Sequence, residues 1–148
     1  MKIAIGTDHA GYGLKEKLIP FLQGGGHEVI DCGAFGYDRN DDYPDFVTPA
    51  AEKVANGEAE AGIVLGYSGQ GEAIASNKVT GIRAVVYYGG SKELITLSRE
   101  HNNANVLSLG AHFIDEDLAK DAVVLWLATS FNGEERHVRR IGKLKTSL

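Results

Sequence analysis

The chain has 148 residues, 43% of them hydrophobic and 24% charged, which suffices for one compact domain over 1–148 with a sizeable core. Its formal charge of -5 argues against a general nucleic-acid binder, because neutralising phosphates requires a basic face. No stretch nears the ~20 apolar residues of a membrane span, the opening "MKIAIGTDHAG" has too short an apolar run for a secretory leader, and the lone Cys32 excludes an intramolecular disulfide, so a cytoplasmic protein is expected.

In chain order, short apolar runs alternate with segments of helical spacing, the pattern of β-α units on a parallel sheet. The first strand is expected over 2–7. A helix over 13–23 follows, with Leu14, Leu18, Phe21 and Leu22 on one face, a bend at Pro20 and a stop at the glycines 24–26. The second strand is expected over 27–31, leading to Cys32 as a small buried hydrophobe. The acidic run "DRNDDYPDF" starts like a calcium loop but has Tyr43 where glycine is needed and Pro49 where the last ligand falls. It reads as a solvated loop with Tyr43 folded inward. A helix over 46–56, a strand over 61–65 and a helix over 70–78 come next, then a strand over 82–87, a helix over 91–100 and a strand over 106–109. A helix over 115–129, capped by Asp115, carries "AVVLWLA" at 122–128; being apolar all round, it is expected to pack on both the sheet and a partner subunit. A final polar helix is expected over 135–145.

Parallel α/β sheets bind ligands beyond the C-terminal ends of their strands. Polar clusters fall near such positions at "GTDHAG", "GYSGQGE" and "HNNAN", the last at a helix end and so less securely placed. The first lacks the P-loop lysine, since Tyr12 stands there, and the second lacks the third glycine of the dinucleotide code, since Ile74 stands there. What remains in 66–72 is a run of backbone N–H groups before a helix, suited either to an anion or to a plain strand-to-helix turn. Glu72 reads as a first-turn carboxylate favoured by the helix dipole, or as a general base if burial lifts its pKa. Asp8 and His9 read as a structural pair or a binding pair, and His101 as a C-terminal helix residue or a functional one. The five histidines form no local zinc motif. Arg136 and Arg140 share a helix face and could grip one phosphate, or merely complement the dipole.

The stretches "IAIGTDHAGYGLK", "HEVIDCGAF", "DYPDF", "GYSGQGEAIASNKVTGIRAVV", "SREHNNANVLSLG" and "ERHVRRI" give the chain its resemblance, from Met1 to about Ile141, to the type B ribose-5-phosphate isomerase family, which includes galactose- and allose-6-phosphate isomerases. The resemblance implies a Rossmann-like α/β/α sandwich with a five-stranded parallel sheet. It also implies a homodimer, or a dimer of dimers, with shared active sites. It makes Asp8 and His9 the substrate-binding pair, with Tyr43 beside the sugar. Tyr67, Ser68, Gly69, Gln70 and Gly71 become the loop that stabilises an enediolate. Gly66 stands where many members carry a catalytic cysteine, and Glu72 matches the glutamate base of another branch. His101 matches the ring-opening acid, Asn102 a substrate ligand, and Arg136 and Arg140 phosphate ligands from the partner subunit. His112 stands where many members have a further phosphate-binding arginine. The expected reaction is aldose-ketose isomerisation of ribose 5-phosphate, or of a six-carbon sugar phosphate, with neither metal nor cofactor; a non-catalytic nucleotide- or phosphate-binding module is the reading from another class.

Overall fold

The computed structural model describes residues 1–144. Its elements are β1 (Lys2–Thr7), α1 (His9–Gly24), β2 (Glu28–Asp31), α2 (Pro44–Ala55), β3 (Ala61–Gly66), α3 (Gln70–Asn77), β4 (Ala84–Tyr87), α4 (Glu93–Glu100), β5 (Val106–Gly110), α5 (Glu116–Ala128) and α6 (Glu135–Gly142). All strand pairs are parallel, and the five-stranded order is β2-β1-β3-β5-β4. The result is the expected Rossmann-like α/β/α sandwich. No helix among the described residues is long and apolar enough to cross a membrane.

Side chains alternate across the strands with a period of two, and residue size differs between the faces. Ile3, Ile5, Ile63, Leu65, Leu107 and Leu109 are buried on one face, with Leu18 and Leu22 of α1, Ile95 of α4 and Ala119, Ala122, Val123 and Trp126 of α5. The other face presents Ala4, Val64 and Val106 to Val47, Ala50 and Ala51 of α2. Small residues let α2 come close: a Cβ on Gly6 would stand 2.4 Å from the Phe46 carbonyl oxygen. The apolar surface removed from water on both faces is the main favourable term holding the layers together.

The strands begin and end within two residues of expectation, and the differences elsewhere have local causes. Helix α1 starts at His9 rather than 13 because the Asp8 carboxylate caps it, accepting the Ala10 N–H at 2.9 Å. Gly11, inside the helix, is needed for contact: a Cβ there would lie 2.3 Å from Thr7 Oγ1 and 2.6 Å from Leu65 Cβ. The helix runs through the exposed Pro20. Cys32 is only half-buried. Helix α5 is capped by Asp115 as expected, its Oδ1 accepting the Leu118 N–H at 2.8 Å, while Val124 on its outer side is 52% exposed. Helix α6 ends at Gly142 rather than 145, and Lys145 lies outside the described residues.

Candidate active site

The chain reverses its direction across the sheet between β1 and β3, and a crevice forms beyond such a switch point. Asp8 leaves β1 on one side of it and the 67–71 loop leaves β3 on the other. The end of β5 adds Ala111 and His112, whose N–H groups donate to the carbonyls of Gly66 (2.8 Å) and Tyr67 (3.1 Å). Three strand ends therefore hold one loop cluster.

Within that cluster Glu72 is buried in the first turn of α3. Gly66 explains how it fits: an ideal Cβ there would lie 1.8 Å from Glu72 Oε1 and 2.5 Å from Oε2. The carboxylate thus occupies the space into which any side chain at 66 would project. Burial raises its pKa, the Asp8 charge adds to the rise, and the backbone N–H groups of Glu72 and Gly69 oppose it. Gly69, with φ of 80°, turns the chain into α3 through a left-handed conformation that glycine adopts without strain. Its carbonyl accepts from the buried Ser108 Oγ at 2.6 Å, and Ser68 Oγ accepts the Gln70 N–H at 3.3 Å. The first N–H groups of α3 have no acceptor within the helix, so the loop is a natural seat for developing negative charge.

Tyr43 closes the loop from the side. A Cβ on Gly71 would lie 2.7 Å from the tyrosine hydroxyl oxygen, so the ring rests against the Gly71 backbone. Tyr67 stacks on His112 with centroids 4.2 Å apart, and both are exposed. On the β1 side, His9 Nδ1 lies 2.6 Å from Asp41 Oδ1, and the His9 backbone N–H donates to the same oxygen at 3.0 Å. The hydrogen bond to Asp41 raises the His9 pKa, aided by Asp8 and Asp38 and opposed by desolvation. Burial likewise raises the Asp8 carboxyl. The donor atoms of Asp8, His9 and Asp41 lie within 4.8 Å of one another. His9 Nδ1 and Asp41 Oδ1 are at hydrogen-bond distance, beside the Asp8 carboxylate that caps α1.

The remaining expected site residues are elsewhere in the chain. His101 caps the C-terminus of α4 and begins the 101–105 segment that enters β5. That segment lies at the N-terminal edge of the sheet: the Asn105 carbonyl accepts the Gly62 N–H at 2.9 Å and its Oδ1 the Arg83 N–H at 2.8 Å. Glu72 and His101 are therefore on opposite edges, separated by the length of β5, on the order of 15 Å. The strand direction thus keeps the two apart within one chain. His101 groups with α6 instead, stacking on the buried His137 at 4.2 Å and 16°, while Asn132 N–H donates to the Glu100 carbonyl at 3.2 Å. Asn102, Arg136 and Arg140 are exposed beside this pair, and Arg136 Nη1 makes an ion pair with Glu134.

Asp41 and His137 were not legible as site residues. Asp41 sits in an acidic run that reads as solvated, yet its side chain is only 10% exposed, and nothing in the sequence singles it out from Asp38 or Asp42.

The sequence profile of the Ribose/Galactose Isomerase family matches residues 3–144. The chain is 45% identical over 143 residues to ribose-5-phosphate isomerase B of Mycolicibacterium paratuberculosis, covering 95% of this chain and 87% of that protein. The solved ribose-5-phosphate isomerase B of Clostridium thermocellum superposes with a TM-score of 0.91 at 48% identity, covering 97% of this chain and 94% of that one. The Mycoplasma genitalium enzyme, solved with bound ribulose-5-phosphate, gives 0.89 at 38% identity over 96% of this chain and 92% of that one. With an extended match along the sequence and the same sheet and helices in space, the chain belongs to the ribose/galactose isomerase family.

Proposed function

We propose that the protein interconverts ribose 5-phosphate and ribulose 5-phosphate through an enediolate, using its own side chains and no metal. The observation that carries this reading is the Glu72 carboxylate, buried against the 67–71 loop in the space that Gly66 leaves open. A base that must take a weakly acidic C–H proton works best with a pKa near the operating pH, and desolvation moves Glu72 in that direction. In this mechanism Glu72 removes the proton from C2 of the open-chain aldose and returns it at C1. The loop amides hold the enediolate oxygen, Asp8, His9 and Tyr43 orient the sugar, and His101 opens the furanose. Asn102, Arg136 and Arg140 bind the substrate, the two arginines through its phosphate.

The separation of the two residue groups supports a homodimer in which one subunit supplies Asp8, His9, Tyr43, 67–72 and His112. The other then supplies His101, Asn102, Arg136 and Arg140 on the α4–α6 end. The chain acts as a single domain, with α6 as the arm that reaches the neighbouring site. The bound ribulose-5-phosphate of the Mycoplasma genitalium relative favours the five-carbon substrate. His112, exposed and stacked on Tyr67 in the place of a family arginine, favours testing six-carbon sugars as the second reading.

The test is an aldose-ketose assay on ribose, allose and galactose phosphates, each with and without chelator. The expected result is highest kcat/KM on ribose 5-phosphate, unaffected by chelator, and a fall of about 10²–10⁴-fold in Glu72→Gln. Near-normal turnover by Glu72→Gln refutes the base assignment, and inactivity on every sugar leaves only a binding module.

A further inference from the structure

Asp41 makes two hydrogen bonds to one residue. Its Oδ1 accepts both the backbone N–H and the ring Nδ1–H of His9. A carboxylate has no proton to donate, so the proton between them belongs to the ring. This fixes the orientation of the imidazole and leaves Nε2 as its other face; the ring remains 30% exposed. Asp41 is turned inward by its own loop, where its N–H donates to the Asp38 carbonyl at 3.0 Å and the Asn40 N–H donates to Asp38 Oδ1 at 3.0 Å. Its Oδ2 is buried and has no hydrogen-bond partner among the described residues. A carboxylate this enclosed, spending its one satisfied oxygen on His9, is built to act on that ring.

We propose that Asp41 is a positioning residue for substrate binding, holding His9 so that Nε2–H is presented as a hydrogen-bond donor to an anionic oxygen of the sugar phosphate. The inference rests on the sugar-phosphate reading of the site. The charged groups around the ring are all carboxylates: Asp8, whose Oδ2 is 4.0 Å from Nδ1, with Asp41 and Asp38 from the preceding loop. The Tyr37 ring stands edge-on at 6.0 Å. Among the described residues none of these carboxylates forms an ion pair with a lysine or arginine, and His9 is the basic group they face. Without Asp41 the imidazole loses both its tether and the nearest negative charge that favours protonation.

The experiment combines histidine-ring NMR titration of the substrate-free protein with steady-state kinetics on ribose 5-phosphate. The proteins are wild type, Asp41→Asn, His9→Gln and the double variant. In wild type His9 is expected to titrate above an ordinary histidine and to keep its proton on Nδ1. In Asp41→Asn its titration is expected to fall toward that of an ordinary histidine. KM should rise about tenfold with a smaller change in kcat, the loss of one charge-assisted contact. In the His9→Gln background the same substitution should add nothing to KM, because the effect runs through the ring. A wild-type His9 that titrates no higher than an ordinary histidine overturns the proposal even if Asp41→Asn does not fold. Equal KM effects with and without His9 overturn it as well. The titration uses protein alone, so absent turnover counts against the isomerase reading and a flat titration against this one.

Discussion

Gly66 and Glu72, six positions apart, share one volume: the glycine's missing side chain is the carboxylate's seat. A Cβ at 66 would meet Oε1 at 1.8 Å, far inside any contact distance, so the two positions must be chosen together. Gly66→Ala is expected to swing the carboxylate away from its place against the loop. Misplacing a reacting group by about 1 Å can cost ~100-fold in rate, and a loss of that size in kcat/KM is expected here with the fold retained by circular dichroism. Normal kinetics in Gly66→Ala would mean that the carboxylate works from another rotamer. The same burial sets a pH dependence. As the proposed base, Glu72 must be ionised to accept a proton, so kcat/KM should rise through an acid limb lying above the ordinary glutamate range. Stability has the opposite slope. Because its folded pKa exceeds its unfolded one, Glu72 favours folding below the unfolded carboxyl range and loses that contribution as pH climbs through the folded value. Glu72→Gln, which cannot ionise, should therefore unfold at higher denaturant than wild type once pH exceeds that value, as urea titrations at several pH values would measure.

Elements are fixed to one another by a few buried polar contacts as well as by the core. Lys15 of α1 is 0% exposed and bonds both oxygens of Asp31, at 2.7 and 2.8 Å, at the end of the edge strand β2. Asp31 Oδ1 also accepts the Gly33 N–H at 2.9 Å, so the same carboxylate holds the start of the loop that carries Asp41 and Tyr43. The faces of Tyr12 and Phe35 lie 5.7 and 5.6 Å from the ammonium. Removing one partner from such a pair leaves a buried charge unmatched, typically at a cost of about 3–5 kcal/mol. Asp31→Asn is expected at the lower end of that range in urea unfolding, since Glu16 Oε1 at 3.3 Å can take part of the charge. A loss under about 1 kcal/mol would show Glu16 to be the main partner.

This is also the scale at which the sequence was most and least informative. The strands were legible because each is a short apolar run, and β1, β3 and β5, buried on both faces, have little choice of composition. The start of α1 was not, because the expected helix began at 13, while Gly11 lies within the helix and serves close packing against Leu65. The loop 66–72 and Glu72 were legible as a strand-to-helix junction with a first-turn acid. The place of His101 was not, since β5 enters the sheet between β3 and β4, and only the strand order and direction fix which edge its leading segment occupies. Asp41 was hidden because an inward carboxylate and a solvated one have the same letter.

For the whole molecule, the proposed function implies an active site assembled from residues at the two ends of the sheet. Glu72, the 67–71 loop and the Asp8–His9 pair lie at the C-terminal edge, and His101 with the arginines of α6 lies at the other. The chain carries a net charge of -5, so exposed Arg136 and Arg140 on a terminal helix put positive charge where the proposed function needs an anion held. A two-fold dimer would join the unlike ends twice, making two equivalent sites. This arrangement predicts complementation between inactive proteins. Glu72→Gln has an intact His101 end, and His101→Asn has an intact Glu72 end. In a mixed dimer one site receives both defects and the other receives neither. If subunits exchange at random, half of the dimers are mixed and each has one intact site of two, so about a quarter of wild-type activity should return. The measurement is turnover of ribose 5-phosphate after equal amounts of the two proteins are unfolded together and refolded, against each protein refolded alone. If Glu72 and His101 served the same site from one chain, every site in the mixture would carry a defect, and activity would stay at the level of the separate variants.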